Sequence, residues 1–532
     1  MRQLPLFLPD STWAPPVELP DLRGCGVVAL DTETRDDSLG AGRGPGWVYR
    51  AGHVAGVSAA WREGARLRSV YIPVRHPDSQ CRDQDAVGRW LRDHLAFPDI
   101  AWVFHNGPYD LGWLRAEWGL KPPAALHDTT ALATLVNENR LSYALDRLAC
   151  EVGLQGKDET LLREAAAAHG WQGDKVKANL WQLPARYVGP YGAADAEQTL
   201  QLYEHFVPEI AKQDLAEAYQ LEMDLLPLTQ EMRWRGVRVD TDAAERARDH
   251  CLKKVDATLR ELSDHLGHSV RLTDIRSTAW MERTCDAQKI TYPRTEKTQR
   301  GSFTGGKLGW MTRHTHWLPR LAAQAEHYQE AADKFICGFV LDYAHRGRLH
   351  ASINQFRSET GGTRTHRFSY SDPALQQMPA RDPELGPMIR GLFLPEEGEV
   401  WGALDYSQQE YRLIVHFASV LGLRGAAEAV QRYVDDPNTD FHSYVAEITG
   451  LERKPAKDAN FAKAYGAGVG QFAAMTGRTE DEAAAIMTQY DREFPFVREL
   501  GQRCASLASR RGYIRMLDGA RMHFDRWEPA EW

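Results

Sequence analysis

The N-terminal third of the chain alternates short apolar runs with longer stretches of helical period. Val27–Leu30, Val54–Trp61, Leu67–Val74 and Ile100–Phe104 have the length and bounding residues of buried strands. Ala86–Leu95 and Asp110–Trp118 repeat their apolar positions as helices do, so this region predicts an α/β layer. Further on the pattern turns mainly helical. Leu221–Asp240 joins a helical period to a glycine stop and a strand-like run, GVRVD. Thr241–Leu266 and Leu318–Tyr343 are charged and amphipathic over helical lengths, separated by the polar, basic stretch Thr291–Lys307. In RKPAKDANFAKAYG, Arg453, Lys457, Phe461 and Tyr465 stand four apart. A helix there turns two cations and then two aromatics toward one broad face, with Gly466 as its C-cap.

The strand-like run Val27–Leu30 delivers Asp31 and Glu33 at its end, where alternation places them on one side of the chain. FHNGPYDLGWL puts Asp110 at the mouth of a helix, and YVGPYGAADAEQTLQLY puts Tyr191 and Asp195 one helical turn apart. Four carboxylates and a tyrosine are the parts needed for two-metal phosphodiester hydrolysis, in which both ions clamp the attacking and leaving oxygens. Asp128, in HDTTALATL, reads instead as the cap of the following helix.

At 532 residues, 43% hydrophobic and 26% charged, the composition is that of a folded protein of roughly two to four domains. No apolar run reaches membrane-spanning length, and MRQLPLFLPD lacks the parts of an export signal, so no membrane partner and a cytoplasmic location are expected. Seven scattered cysteines without CxxC spacing argue against zinc and against disulfides. A net charge of −9 excludes nucleic-acid binding by a uniformly basic surface. Any such binding must be local.

The motifs DxE, Nx₃D and Yx₃D, in that order over residues 20–205, resemble the DEDDy class of 3′–5′ exonucleases. The resemblance implies that Asp31, Glu33, Asp110 and Asp195 hold the metals while Tyr191 orients the attacking water. The fingers pattern at 453–466 resembles that of family A DNA polymerases, the DNA polymerase I type. Two more segments resemble the same family. One is RLHASINQFRSETGGTRTHRFSYSDPALQQMPAR, against the palm pattern TGRLS then PNLQNIP. The other is EVWGALDYSQQEYRLIVHFAS, read as a strand ending at Asp405 followed by a helix, against motif A, DYSQIELR.

That resemblance gives Arg367 the minor-groove edge near the primer end and gives Gln376 and Gln377 the template or primer backbone. His366 replaces the usual glycine. Asp405 would bind both polymerase ions with the Tyr406 carbonyl beside it, Gln408 and Glu410 would face the nucleotide, and Arg412 would brace the site and contact DNA. Arg453, Lys457 and His442 would hold the triphosphate, Phe461 the sugar, and Tyr465 the neighbourhood of the templating base. Ala462 replaces another common glycine.

The implied architecture is an RNase H-like α/β exonuclease with a mixed sheet (1–205), a linker helix and thumb (206–345), a palm (346–420) and fingers (421–532), the last three forming an incomplete α+β right hand. Implied ligands are primer–template DNA, single-stranded DNA 3′ ends, dNTPs, and Mg²⁺ or Mn²⁺ at two ions per site.

The family's His-Asp-Glu palm motif occurs nowhere in the sequence. The reading is a proofreading DNA polymerase that is either the larger part of a split enzyme, completed by a second polypeptide carrying the C-terminal palm, or a truncated part of a longer one. A stand-alone 3′–5′ exonuclease with a polymerase-derived DNA-binding region, and a non-catalytic replisome module, remain open. The first motif begins some thirty residues in, leaving no room for a preceding flap nuclease. That compact order resembles the phage enzymes of this family, which implies the cytoplasm of a bacterium or of a phage-infected host.

Overall fold

The computed structural model describes residues 9–78, 80–303, 308–358 and 361–524. It divides into two compact units, Met1–Val400 and Trp401–Trp532. In the first unit, strands β1 (Val27–Asp36), β2 (Gly52–Glu63), β3 (Arg66–Pro73), β4 (Ala101–Phe104) and β5 (Leu126–Asp128) form one sheet in the order β3-β2-β1-β4-β5. β1 runs antiparallel to β2 and parallel to β4, so the sheet is mixed.

β1 outlasts its apolar run because β2 pairs with it through the polar residues. Asp31 lies opposite Ser58 and Glu33 opposite Gly56, and the register shifts after Glu33. The two carboxylates therefore sit inside the strand rather than at its end. Gly56 is required where it is, since a Cβ there would come 2.1 Å from the Tyr71 hydroxyl. The helix Ala185–Lys212 packs across β1, β2 and β3, and its Ala196 and Leu200 share a small core with Ala29, Ala60 and Val103.

The rest of this unit is largely helical. Thr241–Leu266 packs on Trp317–Glu330, and the latter continues as a π-helix over Ala331–Leu341 instead of the single α-helix expected to Tyr343. Val239, Cys251, Val255, Ile336, Val340 and Ile389 close this core beside a small sheet of Phe393–Leu394, Val237–Val239 and Arg348–Leu349. Of the basic stretch Thr291–Lys307, residues 304–307 lie outside the described residues. In the remainder, Arg300 is paired with Glu282 at 3.2 Å.

The second unit gathers the helices Gln409–Val420, Phe441–Thr449, Arg453–Ala464, Glu480–Glu493 and Pro495–Arg511 around an aromatic core that includes Tyr411, Phe441, Phe472, Tyr490, Phe494 and Phe496. The strand expected to end at Asp405 does not form. A strand needs a ladder partner for its backbone groups, and none of the described strands pairs with residues 401–406. Leu404 and Tyr406 are accordingly 101% and 79% exposed. The division after Val400 also cuts the expected palm, 346–420, into parts that belong to different units. All seven cysteines are free. Among the described residues no helix is long and apolar enough to cross a membrane.

Candidate active sites

β1 supplies Asp31 and Glu33, and the Ala185–Lys212 helix brings Tyr191 and Asp195 against them. Asp31, Glu33 and Asp195 each offer an oxygen, all within 4.8 Å of one another. Among the described residues no other group of three or more His, Cys, Asp or Glu is so arranged. Glu33 and Asp195 are buried, and Glu33 Oε1 has no hydrogen-bond partner. A buried carboxylate oxygen left unpaired is costly unless a cation meets it.

Burial raises all three acids. The charges of Asp110, Glu33 and Asp195 raise Asp31 further, and that of Asp195 raises Glu33. Repulsion of this kind is what a hard, oxygen-seeking dication relieves, so the donor set fits Mg²⁺ or Mn²⁺.

Asp110, expected as a fourth ligand, stands outside the three-oxygen group. Its Oδ1 accepts hydrogen bonds from Thr32 N at 2.9 Å and Thr32 Oγ1 at 2.7 Å, which pin the helix Pro108–Trp118 to β1. Its charge nonetheless acts on Asp31. Asp128 caps the next helix through Thr130 N and Ala131 N, as the sequence suggests. Tyr191 is buried, and burial together with the Asp195, Glu33 and Asp31 charges pushes its phenol well up, so it remains an O–H donor.

Two lysines at this site carry no sequence signal. Lys157 Nζ donates to Asp195 Oδ1 and lies 2.5 Å from Asp146 Oδ1, with its side chain only 4% exposed. It also lies 5.0 Å from the Tyr191 ring centroid, and Lys177 Nζ lies 5.4 Å from the same ring. Lys157 sits in a polar loop 38 positions from Asp195, and neither period nor motif links the two.

In the second unit the Arg453–Ala464 helix buries Ala456, Ala459, Asn460 and Ala462, while Arg453, Lys457 and Tyr465 are exposed and Phe461 is half-buried. The aromatic stripe is therefore not core. Phe461 and Tyr465 stack at 6.4 Å and 22°, and Lys457 Nζ is 5.7 Å from the Phe461 ring. Arg453 Nε donates to Asp440 Oδ2 at 2.7 Å. Partial burial works to raise Asp440, but bonds from Ser443, Arg453 and His442 N outweigh it and hold the acid at about 2. Asp440 also caps the helix that carries His442. His442 Nδ1 is 3.1 Å from Asn460 Nδ2, and Asn460 accepts from the Tyr490 hydroxyl. Asn460 and Tyr490 thus fix His442, a role the sequence did not reveal.

Gln408 clasps Thr439 O and Phe441 N, at 2.8 and 3.2 Å. Arg412 was expected to contact DNA as well as brace the site. Its guanidinium donates to Ser407 O and Pro437 O and covers the Tyr433 ring at 4.3 Å, which are the contacts of a brace. Glu410 opens the Gln409–Val420 helix, and its charge reaches His442. Asp405 and Tyr406 are exposed, and Asp405 belongs to no three-ligand group among the described residues.

In the first unit, His366 adopts φ +58° where the resembling pattern has glycine, and its Nδ1 lies 3.5 Å from Glu222 Oε1. His366 thus holds a left-handed backbone, a conformation that favours glycine, while carrying a side chain. Arg367 is exposed beside it. Gln376 donates to Phe368 O and accepts from Tyr370 N, and Gln377 is exposed.

The family model described as DNA polymerase family A matches residues 243–531, and that of a 3′–5′ exonuclease matches residues 19–211. A DNA-directed DNA polymerase of Pseudomonas phage M6 is 32% identical, covering 98% of this chain and 85% of that protein. The DNA polymerase DpoZ of Salmonella phage PMBT28 is 31% identical, covering 95% of this chain and 83% of its own length. Among solved structures, the POL domain of Pol1 from M. smegmatis, in complex with DNA primer-template and dNTP, superposes with a TM-score of 0.69. It is 21% identical and covers 94% of this chain and 78% of that one, a likeness of fold. The chain belongs to DNA polymerase family A, with a 3′–5′ exonuclease domain ahead of its polymerase region.

Proposed function

We propose that the exonuclease domain shortens single-stranded DNA from its 3′ end at the Asp31–Glu33–Asp195 cluster. The observation that carries this reading is the convergence of three carboxylate oxygens within 4.8 Å, with Glu33 Oε1 unpartnered. Mg²⁺ or Mn²⁺ held there, at two ions per site, supplies Lewis acidity to the scissile phosphate and a more acidic water. Asp31, Glu33 and Asp195 hold the cations, and Asp110 adds negative charge from its station on Thr32. Tyr191, kept protonated, holds the attacking water by its phenol.

In the polymerase region, Arg453, Lys457 and His442 grip the triphosphate of an incoming dNTP by charge-assisted bonds. Phe461 packs on the sugar, Glu410 excludes a ribose 2′-hydroxyl, and Tyr465 neighbours the templating base. Gln408 acts by holding the start of the His442 helix in place. Arg367, Gln376 and Gln377 meet the primer–template, and Asp405 with the Tyr406 carbonyl forms the metal-binding pole of the polymerase site. The working location is the cytoplasm.

The test of the exonuclease assignment is polarity. A 5′-labelled single strand should yield a ladder of shorter 5′-labelled products with Mg²⁺ or Mn²⁺ and none with EDTA. Release of short labelled fragments from the 5′ end would refute it.

A further inference from the structure

Lys157 places a positive charge inside the carboxylate cluster. Its ammonium donates to Asp195 Oδ1, on a side chain 10% exposed, and reaches outward to Asp146, whose side chain is 46% exposed. Lys177 also reaches Asp146, at 3.3 Å. The lysine thus has an inner station on a proposed metal ligand and an outer one on a carboxylate at the surface.

A dication drawn to Asp195 meets this ammonium in two ways. Both compete for the same carboxylate, and their charges repel at short range in a poorly solvated site. An ammonium with three donors on a flexible stem can settle on Asp146 alone.

We propose that Lys157 is a built-in competitor for the exonuclease cations, a positioning residue that sets their affinity by sharing Asp195 and yielding toward Asp146. The inference rests on the reading of Asp31, Glu33 and Asp195 as the metal-holding group. It gives a function to an ammonium buried between Asp195 and Asp146. Lys157 lowers metal occupancy, so proofreading responds to divalent-ion concentration rather than running with its site permanently filled.

Manganese titration of the full chain, followed by the EPR signal of free Mn²⁺, tests this without reference to turnover. Lys157→Met should bind Mn²⁺ at the cluster at least tenfold more tightly than wild type, while Lys157→Arg should stay near wild type. A purely structural lysine predicts the opposite sign, since losing it would let Asp195 drift and weaken binding.

Asp146→Asn, a half-exposed position, should weaken Mn²⁺ binding several-fold by removing the outer station. It serves as the second variant should Lys157→Met fail to fold. Unchanged or weaker binding in folded Lys157→Met, or unchanged binding in Asp146→Asn, overturns the proposal. Asp31→Ala with Glu33→Ala supplies the background. If that variant binds Mn²⁺ as wild type does, the metal-site reading fails and this inference falls with it.

Discussion

Replacing Asp31 and Glu33 together by alanine should reduce 3′–5′ hydrolysis by roughly 10³-fold or more, because electrostatic stabilisation of the transition state is the largest single catalytic contribution at such sites. The two residues supply two of the three converging oxygens, and they sit on one strand, so no other element replaces them. Folding should survive. β1 is held by backbone pairing to β2 and β4, and removing two mutually repelling acids relieves charge repulsion rather than adding it. Quenched-flow digestion of a 5′-labelled oligonucleotide gives the rate, and circular dichroism confirms the fold. Equal rates for variant and wild type would remove the cluster from the reaction.

Lys457→Ala should weaken dNTP binding by about 10- to 10²-fold, the loss of one hydrogen bond to a charged group at roughly 1.5–3 kcal/mol. Lys457 is exposed, so truncation opens no cavity, and alanine is at least as good a helix former. The effect is therefore on the ligand and not on the Arg453–Ala464 helix. Lys457→Arg should recover most of it. Equilibrium titration with a labelled dNTP and primer–template, in the Asp31→Ala, Glu33→Ala background, measures the change. An unaltered dissociation constant would mean that the outward stripe does not face the triphosphate.

What the sequence revealed and what it hid follow from the range of the interactions involved. Asp31 and Glu33 were legible because strand alternation is local, and Tyr191 and Asp195 because one helical turn is local. The fingers stripe was legible for the same reason. The station of Asp110 was not, since its bonds to Thr32 span 78 positions and no period encodes them. Lys157, Asn460 and Tyr490 were hidden likewise, each acting across a tertiary contact between separate elements. The strand into Asp405 failed in the other direction. VWGAL is a non-polar run of strand length ahead of Asp405, but such a run does not provide the neighbouring strand that the backbone needs. His366 shows a third case, in which a residue other than glycine adopts a left-handed backbone that its type does not announce.

The most direct test of the central claim is crystallographic. Crystals of the full chain grown with Mn²⁺ and a dNMP, with data collected at the manganese edge, should show anomalous density between the Asp31, Glu33 and Asp195 carboxylates, at ligand distances of about 2.0–2.2 Å, the range of small octahedral dications. Saturating Mn²⁺ with no anomalous peak at those three residues, and ordered Mn²⁺ elsewhere on the exonuclease domain, would contradict it.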